Sequence, residues 1–150
     1  MTTVGTETEG ATPGKLSAPD ATGDAPIVRV SRAVDAPPVH VWEVLVSPSG
    51  SAAFLGEGAV LGGKGEPYHC ADGTSGCVRS YHPLEQLRVS WHPTPDSPPT
   101  IVELDLRADG EGTRLDLSQD HLWHGVDVED LDRRWAAGLE RLATLAESTR

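Results

Sequence analysis

Apolar residues alternate with period two at Val28, Val30 and Val34, with Arg32 on the same face, until Ala36-Pro37-Pro38 ends the pattern. Val39, Trp42, Leu45 and Val46 then recur at helical spacing, so a strand leads directly into a short helix. Ser47-Pro48-Ser49-Gly50 stops that helix, and a short second one is predicted through Ala52, Ala53 and Phe54. Beyond it the period returns to two. Short strands are predicted near Ala59 to Leu61, Glu66 to Cys70, Gly76 to His82, Leu87 to His92, Thr100 to Ala108 and Thr113 to Trp123, parted by Gly, Pro and Asp turns. Together they make a curved antiparallel meander.

The last two strands pair through Asp109-Gly110-Glu111-Gly112. Val102, Leu104 and Leu106 then oppose Leu115 and Leu117 on the inner face, and Glu103, Asp105, Arg107, Arg114 and Asp116 fall outside as cross-strand charge pairs. From Val126 onward Leu131, Trp135, Leu139, Leu142 and Ala146 recur at steps of four, four, three and four, the signature of a long amphipathic helix lying on the sheet. Gly138 inside that helix costs about 1 kcal/mol relative to Ala, which implies close packing or a wider space beneath it. The fold class is α+β.

Composition adds limits. A chain of 150 residues is long enough for one domain with a real core, taken here as residues 26–150. Residues 1–25 carry almost no large apolar side chain and read as a disordered tail. A net charge of −11 without a run of Lys or Arg argues against a nucleic-acid surface. No stretch is long and apolar enough to cross a bilayer, and no secretory signal opens the chain, so a cytoplasmic protein is expected. Cys70 and Cys77 flank a hairpin-like turn that would set the thiols opposite each other, and a reducing compartment keeps them free. A zinc set of His69, Cys70, Cys77 and His82 is disfavoured, because adjacent residues of a strand point to opposite faces. Neither a metal nor a cofactor is expected.

The order of elements resembles the helix-grip superfamily of START and Bet v 1-like domains, within it the branch of Hsp90 ATPase activator homologues, over about residues 27–148. The resemblance is carried by Ala36-Pro37 with Val41-Trp42, Gly62-Gly63, Gly76 with Val78, Leu87 to Trp91, Gly112-Thr113-Arg114-Leu115, and Trp135 with Leu139 and Leu142. Where the branch usually carries a Trp near the end of the second helix, this chain has Phe54-Leu55-Gly56. Where it usually carries Gly-Trp in the last helix, this chain has Arg134-Trp135. The resemblance implies a hydrophobic cavity between sheet and long helix that takes a polyketide, a lipid or another small hydrophobic molecule. It also implies a sharper role, because the branch includes self-sacrifice proteins that protect producers of enediyne antibiotics and are cleaved at a glycine. Gly56, Gly58, Gly62, Gly63, Gly112 and Gly125 are the glycines open to that role here.

Continuing the inner-face alternation gives Val78, Ser80 and His82 on one strand, Leu87, Val89 and Trp91 on the next, and Gln119, His121 and Trp123 on the last. Ser80, Gln119 and His121 are then either orienting groups in an apolar wall or strand ends in water. Trp91 is the expected aromatic floor, with Phe54, Trp123 and Trp135 as further candidates for the lining. Arg32 either anchors a ligand or pairs with a carboxylate at the sheet edge. No catalytic motif occurs, so the expected function is non-enzymatic binding and sequestration. An aromatase or cyclase would need an acid-base pair, for which His121 with Glu57 or Asp120 is the one nomination. A chaperone-linked interaction module is the third reading.

Overall fold

The fold was analysed in a computed structural model that describes residues 26–149. The predicted tail, residues 1–25, lies outside the described residues. Strand β1 (Val28–Val34) is followed by helices α1 (Pro38–Leu45) and α2 (Pro48–Leu55), then by β2 (Pro67–His69), β3 (Ser75–His82), β4 (Gln86–Trp91), β5 (Thr100–Asp109), β6 (Gly112–Asp120) and the long α3 (Val128–Thr149). The strands form one antiparallel sheet in the order β1-β6-β5-β4-β3-β2, and α3 packs on its inner face. This is the α+β helix-grip architecture expected from the sequence.

Local chemistry fixes the boundaries. Pro48 begins α2 because the Ser47 hydroxyl caps its first turn, accepting from Gly50 N at 3.1 Å. Asp127 does the same for α3, accepting from Asp130 N at 3.1 Å. The hairpin between β5 and β6 closes with Asp109 opposite Gly112, and Gly110 takes the positive φ of 62° that the turn demands.

Four expectations are corrected. Ala59 to Leu61 forms no strand: it is an irregular connection, held in the core by Ala59 and Leu61 and by the Ser51 hydroxyl accepting from Leu61 N. The last strand stops at Asp120, where His121 turns to φ 60°, and α3 starts at Val128. On α1 the buried face is Val41, Trp42, Val44 and Leu45, leaving Val39 exposed. Cys70 does not face Cys77, because Cys77 pairs with Pro67 while Cys70 N bonds to Thr74 O; both thiols are free.

The inner face of the sheet is the core, and its deepest part is a hydrogen-bonded chain across four elements. Trp135 Nε1 of α3 donates to Gln119 Oε1 of β6 at 2.7 Å. Gln119 Nε2 donates to Thr100 Oγ1 of β5 at 2.9 Å, and that hydroxyl donates to the Trp91 carbonyl of β4 at 2.8 Å. Every member is buried, so each bond also satisfies a group that water cannot reach. The two arginines that face α2 complete its docking: Arg134 Nη2 donates to Leu55 O at 3.2 Å and Arg141 Nε to Ala53 O at 2.9 Å, cations at the negative end of a helix.

Gly138 marks the closest approach of α3 to α2, since a Cβ there would lie 2.7 Å from the Phe54 carbonyl oxygen. Gly138→Ala is expected to destabilise the protein by about 1–3 kcal/mol through overpacking, despite the better helix propensity of Ala; urea unfolding measures it. Tyr68 supplies a pH marker. Its buried hydroxyl donates to the Ser90 carbonyl at 2.7 Å, and burial pushes its pKa far above the ordinary tyrosine value. An acid whose pKa is raised on folding stabilises the fold below its unfolded pKa and loses that stability as pH rises. The urea midpoint is expected to fall above about pH 10, less steeply in Tyr68→Phe; equal slopes would contradict this.

Candidate functional site

An aromatic cluster sits where α2, α3 and the β2–β3 hairpin meet the sheet. Trp135 lies with its ring centroid 5.5 Å from Phe54 and 5.8 Å from Trp91, the latter edge to face at 69°. Their neighbours Tyr68 and Cys70 come from alternate positions of the β2 segment and share its buried face. These side chains pack into the space between sheet and helix. Among the described residues, depressions open on the surface, including one of about 520 Å³ on the outer face of the sheet and one of about 460 Å³ along α2 and α3.

The two central indoles differ in one respect. Trp135 Nε1 is bonded to Gln119, whereas Trp91 Nε1 is buried and has no acceptor. An unmet buried N–H costs about 1–3 kcal/mol. Among the described residues Arg32 Nε is the other buried side-chain atom without a partner, but its guanidinium is already paired through Nη1 with Glu140 at 2.5 Å.

Arg134 closes the cluster. Its guanidinium carbon stands 5.1 Å from the Trp91 ring centre and 5.8 Å from that of Trp135, and Nη2 reaches Leu55 O and Asp72 Oδ2, each at 3.2 Å. Asp72 is aimed by its own hairpin: Thr74 N and Oγ1 both donate to Oδ1, at 3.0 and 2.7 Å, leaving Oδ2 to Arg134. Partial burial alone would raise the Asp72 pKa, but the bonds from Thr74 and Arg134 outweigh it and hold the carboxyl below its usual value. The Arg134 side chain is 30% exposed and that of Asp72 49%, so their ion pair contributes only about 0–1 kcal/mol. Beneath them the Cys70 thiol bonds to the same Leu55 carbonyl at 3.6 Å, and burial pushes its pKa up.

Gly56 is the glycine of this region. It ends α2 with φ 141°, half-buried, and a Cβ built on it would lie 3.2 Å from Cys70 Sγ and 3.8 Å from Arg134 Nη2. The other candidate glycines lie elsewhere. Gly58 faces the His69 carbonyl and Gly62 the Glu66 side chain, Gly63 and Gly125 have no neighbour within 4 Å of such a Cβ, and Gly112 abuts the Val34 carbonyl at the far hairpin.

The nominated lining is therefore only partly assembled. Phe54, Trp91, Gln119 and Trp135 come together. Trp123 is half-buried against the core, and Arg32 forms its ion pair with Glu140. Ser80, His82 and His121 leave the inner face. A bulge between Val78 and Ser80 sets Ser80 beside Arg88 on the outer face and turns Tyr81 inward against Trp42, 5.3 Å between ring centres. His121 bonds to Asp120 at 2.8 Å in the open and shares the outer depression with Ser80 and Arg79, so that pair does not line the interior. Asp72, Thr74, Thr100 and Arg134 were not foreseen. The one available signal was Arg134, which stands where the resemblance led us to expect Gly.

Curated proteins give no match. Among solved structures, protein CV1439 from Chromobacterium violaceum is 24% identical with a TM-score of 0.66, over 81% of this chain and 97% of its own. CalU16 from Micromonospora echinospora is 22% identical with a TM-score of 0.69, over 85% of this chain and 78% of its own. DynU16, a protein of the dynemicin biosynthetic locus, is 26% identical with a TM-score of 0.71 over 85% of this chain, which spans 49% of DynU16. The family model described as Activator of Hsp90 ATPase homolog 1-like protein matches residues 35–147, and the chain belongs to that family.

Proposed function

We propose that the protein binds and sequesters a hydrophobic, ring-bearing small molecule at the aromatic cluster, without catalysis. The observation that carries the reading is the buried Trp91 Nε1 with no acceptor. A site whose walls are aromatic and whose one unsatisfied polar group is a fixed donor suits a ligand with an apolar body and a single acceptor. Entry requires a side chain to move. Arg134 is the one placed to do so, being long, partly exposed and held by contacts that solvent can replace.

In its sharper form, the proposal makes Gly56 the backbone position presented to an activated enediyne. The kinship in fold with DynU16 supports that form. A hydrogen atom passes from the Gly56 Cα to the ligand radical, leaving a carbon radical stabilised by its flanking amides. Dioxygen adds to it, the peroxyl radical leaves as hydroperoxyl with the amide hydrogen, and water hydrolyses the resulting N-acylimine, breaking the N–Cα bond of Gly56 into an amide and a glyoxylyl fragment. Glycine is needed for close approach, and the φ of Gly56 disfavours any side chain.

Native and then denaturing intact mass spectrometry after incubation with aromatic polyketides and with an activated enediyne tests both forms. A retained ligand at one per chain is expected, and with the enediyne two fragments that meet at Gly56; an intact, empty chain with every compound contradicts the proposal. Trp91→Phe keeps a ring but removes the donor, and is expected to weaken binding about tenfold, the ~1.4 kcal/mol of one hydrogen bond. Fluorescence titration measures that loss, and His121→Ala is expected to leave the affinity unchanged.

A further inference from the structure

We infer that the ligand carries a basic amine and that Arg134 occupies the place of that amine in the unliganded protein, an inference that rests on the small-molecule reading above. The surroundings of the guanidinium consist of two indole faces, the Leu55 carbonyl and the Asp72 carboxylate. All of these attract cations. Thr74 holds Asp72 in position independently of Arg134, through two bonds to the other carboxylate oxygen, so the cradle stays formed when the guanidinium leaves. Such a cradle, emptied, is an ammonium site.

The rest of the cluster sets the remainder of the ligand. Trp91 Nε1, buried and without an acceptor, calls for an acceptor on the apolar body, so the class is an aromatic or polycyclic amine with one carbonyl or ether oxygen. A net charge of −11 favours the approach of such a cation. Displaced Arg134 gives up the cradle contacts to the amine that replaces it, and its side chain, 30% exposed, already reaches the water that rehydrates it.

Chemical rescue tests the inference on the full chain. Arg134→Ala is melted with benzylamine, with methylguanidinium and with benzyl alcohol as the neutral counterpart. Both cations are expected to raise the Tm of the variant by about 3–6 °C at tenfold over Kd, with little effect on wild type and none from the alcohol. Adding Asp72→Asn is expected to abolish the rescue. Should Arg134→Ala fail to fold, Arg134→Gln in a Cys77→Ser background offers a second readout, in which cations slow alkylation of Cys70 beneath the site.

Equal shifts from amine and alcohol, or no shift from any probe, overturn the inference. Rescue by cations in a protein that retains no hydrophobic compound by native mass spectrometry supports the cation cradle and defeats sequestration. Retention of neutral compounds without cation rescue does the reverse.

Discussion

The structure depends on the bond from the Trp135 indole to Gln119. An amide in the centre of an apolar sheet face is costly unless both its ends are matched, and here the indole N–H meets the oxygen while the Thr100 hydroxyl meets the nitrogen. The bond fixes the rotation of α3 about its own axis, because only one face of the helix can present Trp135 to β6. Close contact of Gly138 with α2 and the pairing of Arg32 with Glu140 then set how far the helix stands from its neighbours.

With Trp135 fixed, the geometry of the cluster follows. Trp91 meets it edge to face, and the edge that carries Nε1 is left without a partner, even though the carbonyl of the same residue is bonded to Thr100. Charge gathers on the same two rings, since Arg134 stacks on both indoles and reaches the Asp72 hairpin. A satisfied indole and an unsatisfied one thus meet within one pair of buried rings. On the proposed reading, that contrast and not the outer depression is what an added molecule answers.

The sequence made the fold legible wherever period and punctuation agreed. The alternation of β5 and β6 and the steps of α3 survive unchanged, because each buries one face against a single partner. The failures have local causes. Ala59 to Leu61 alternates like a strand but finds no neighbouring strand, so burial and the bond from Leu61 N to Ser51 shaped it. A bulge after Val78 reverses the faces of Ser80 and His82, and one extra residue in a strand leaves no mark on a period-two pattern. His121 falls beyond the strand end. Of the site, the aromatics were legible and the charged partners were not, since the meeting of Arg134 with Asp72 spans 62 positions and depends on tertiary structure.

The state of one hydrogen tests the central claim most directly. In a nitrogen-proton correlation spectrum with the four indole resonances assigned by substitution, the Trp91 Nε1–H is expected at the position of an unbonded indole, upfield of Trp135, and to move downfield when a retained ligand is added. A Trp91 resonance already at the bonded position without ligand, or one that stays in place while ligand is bound, would contradict the account.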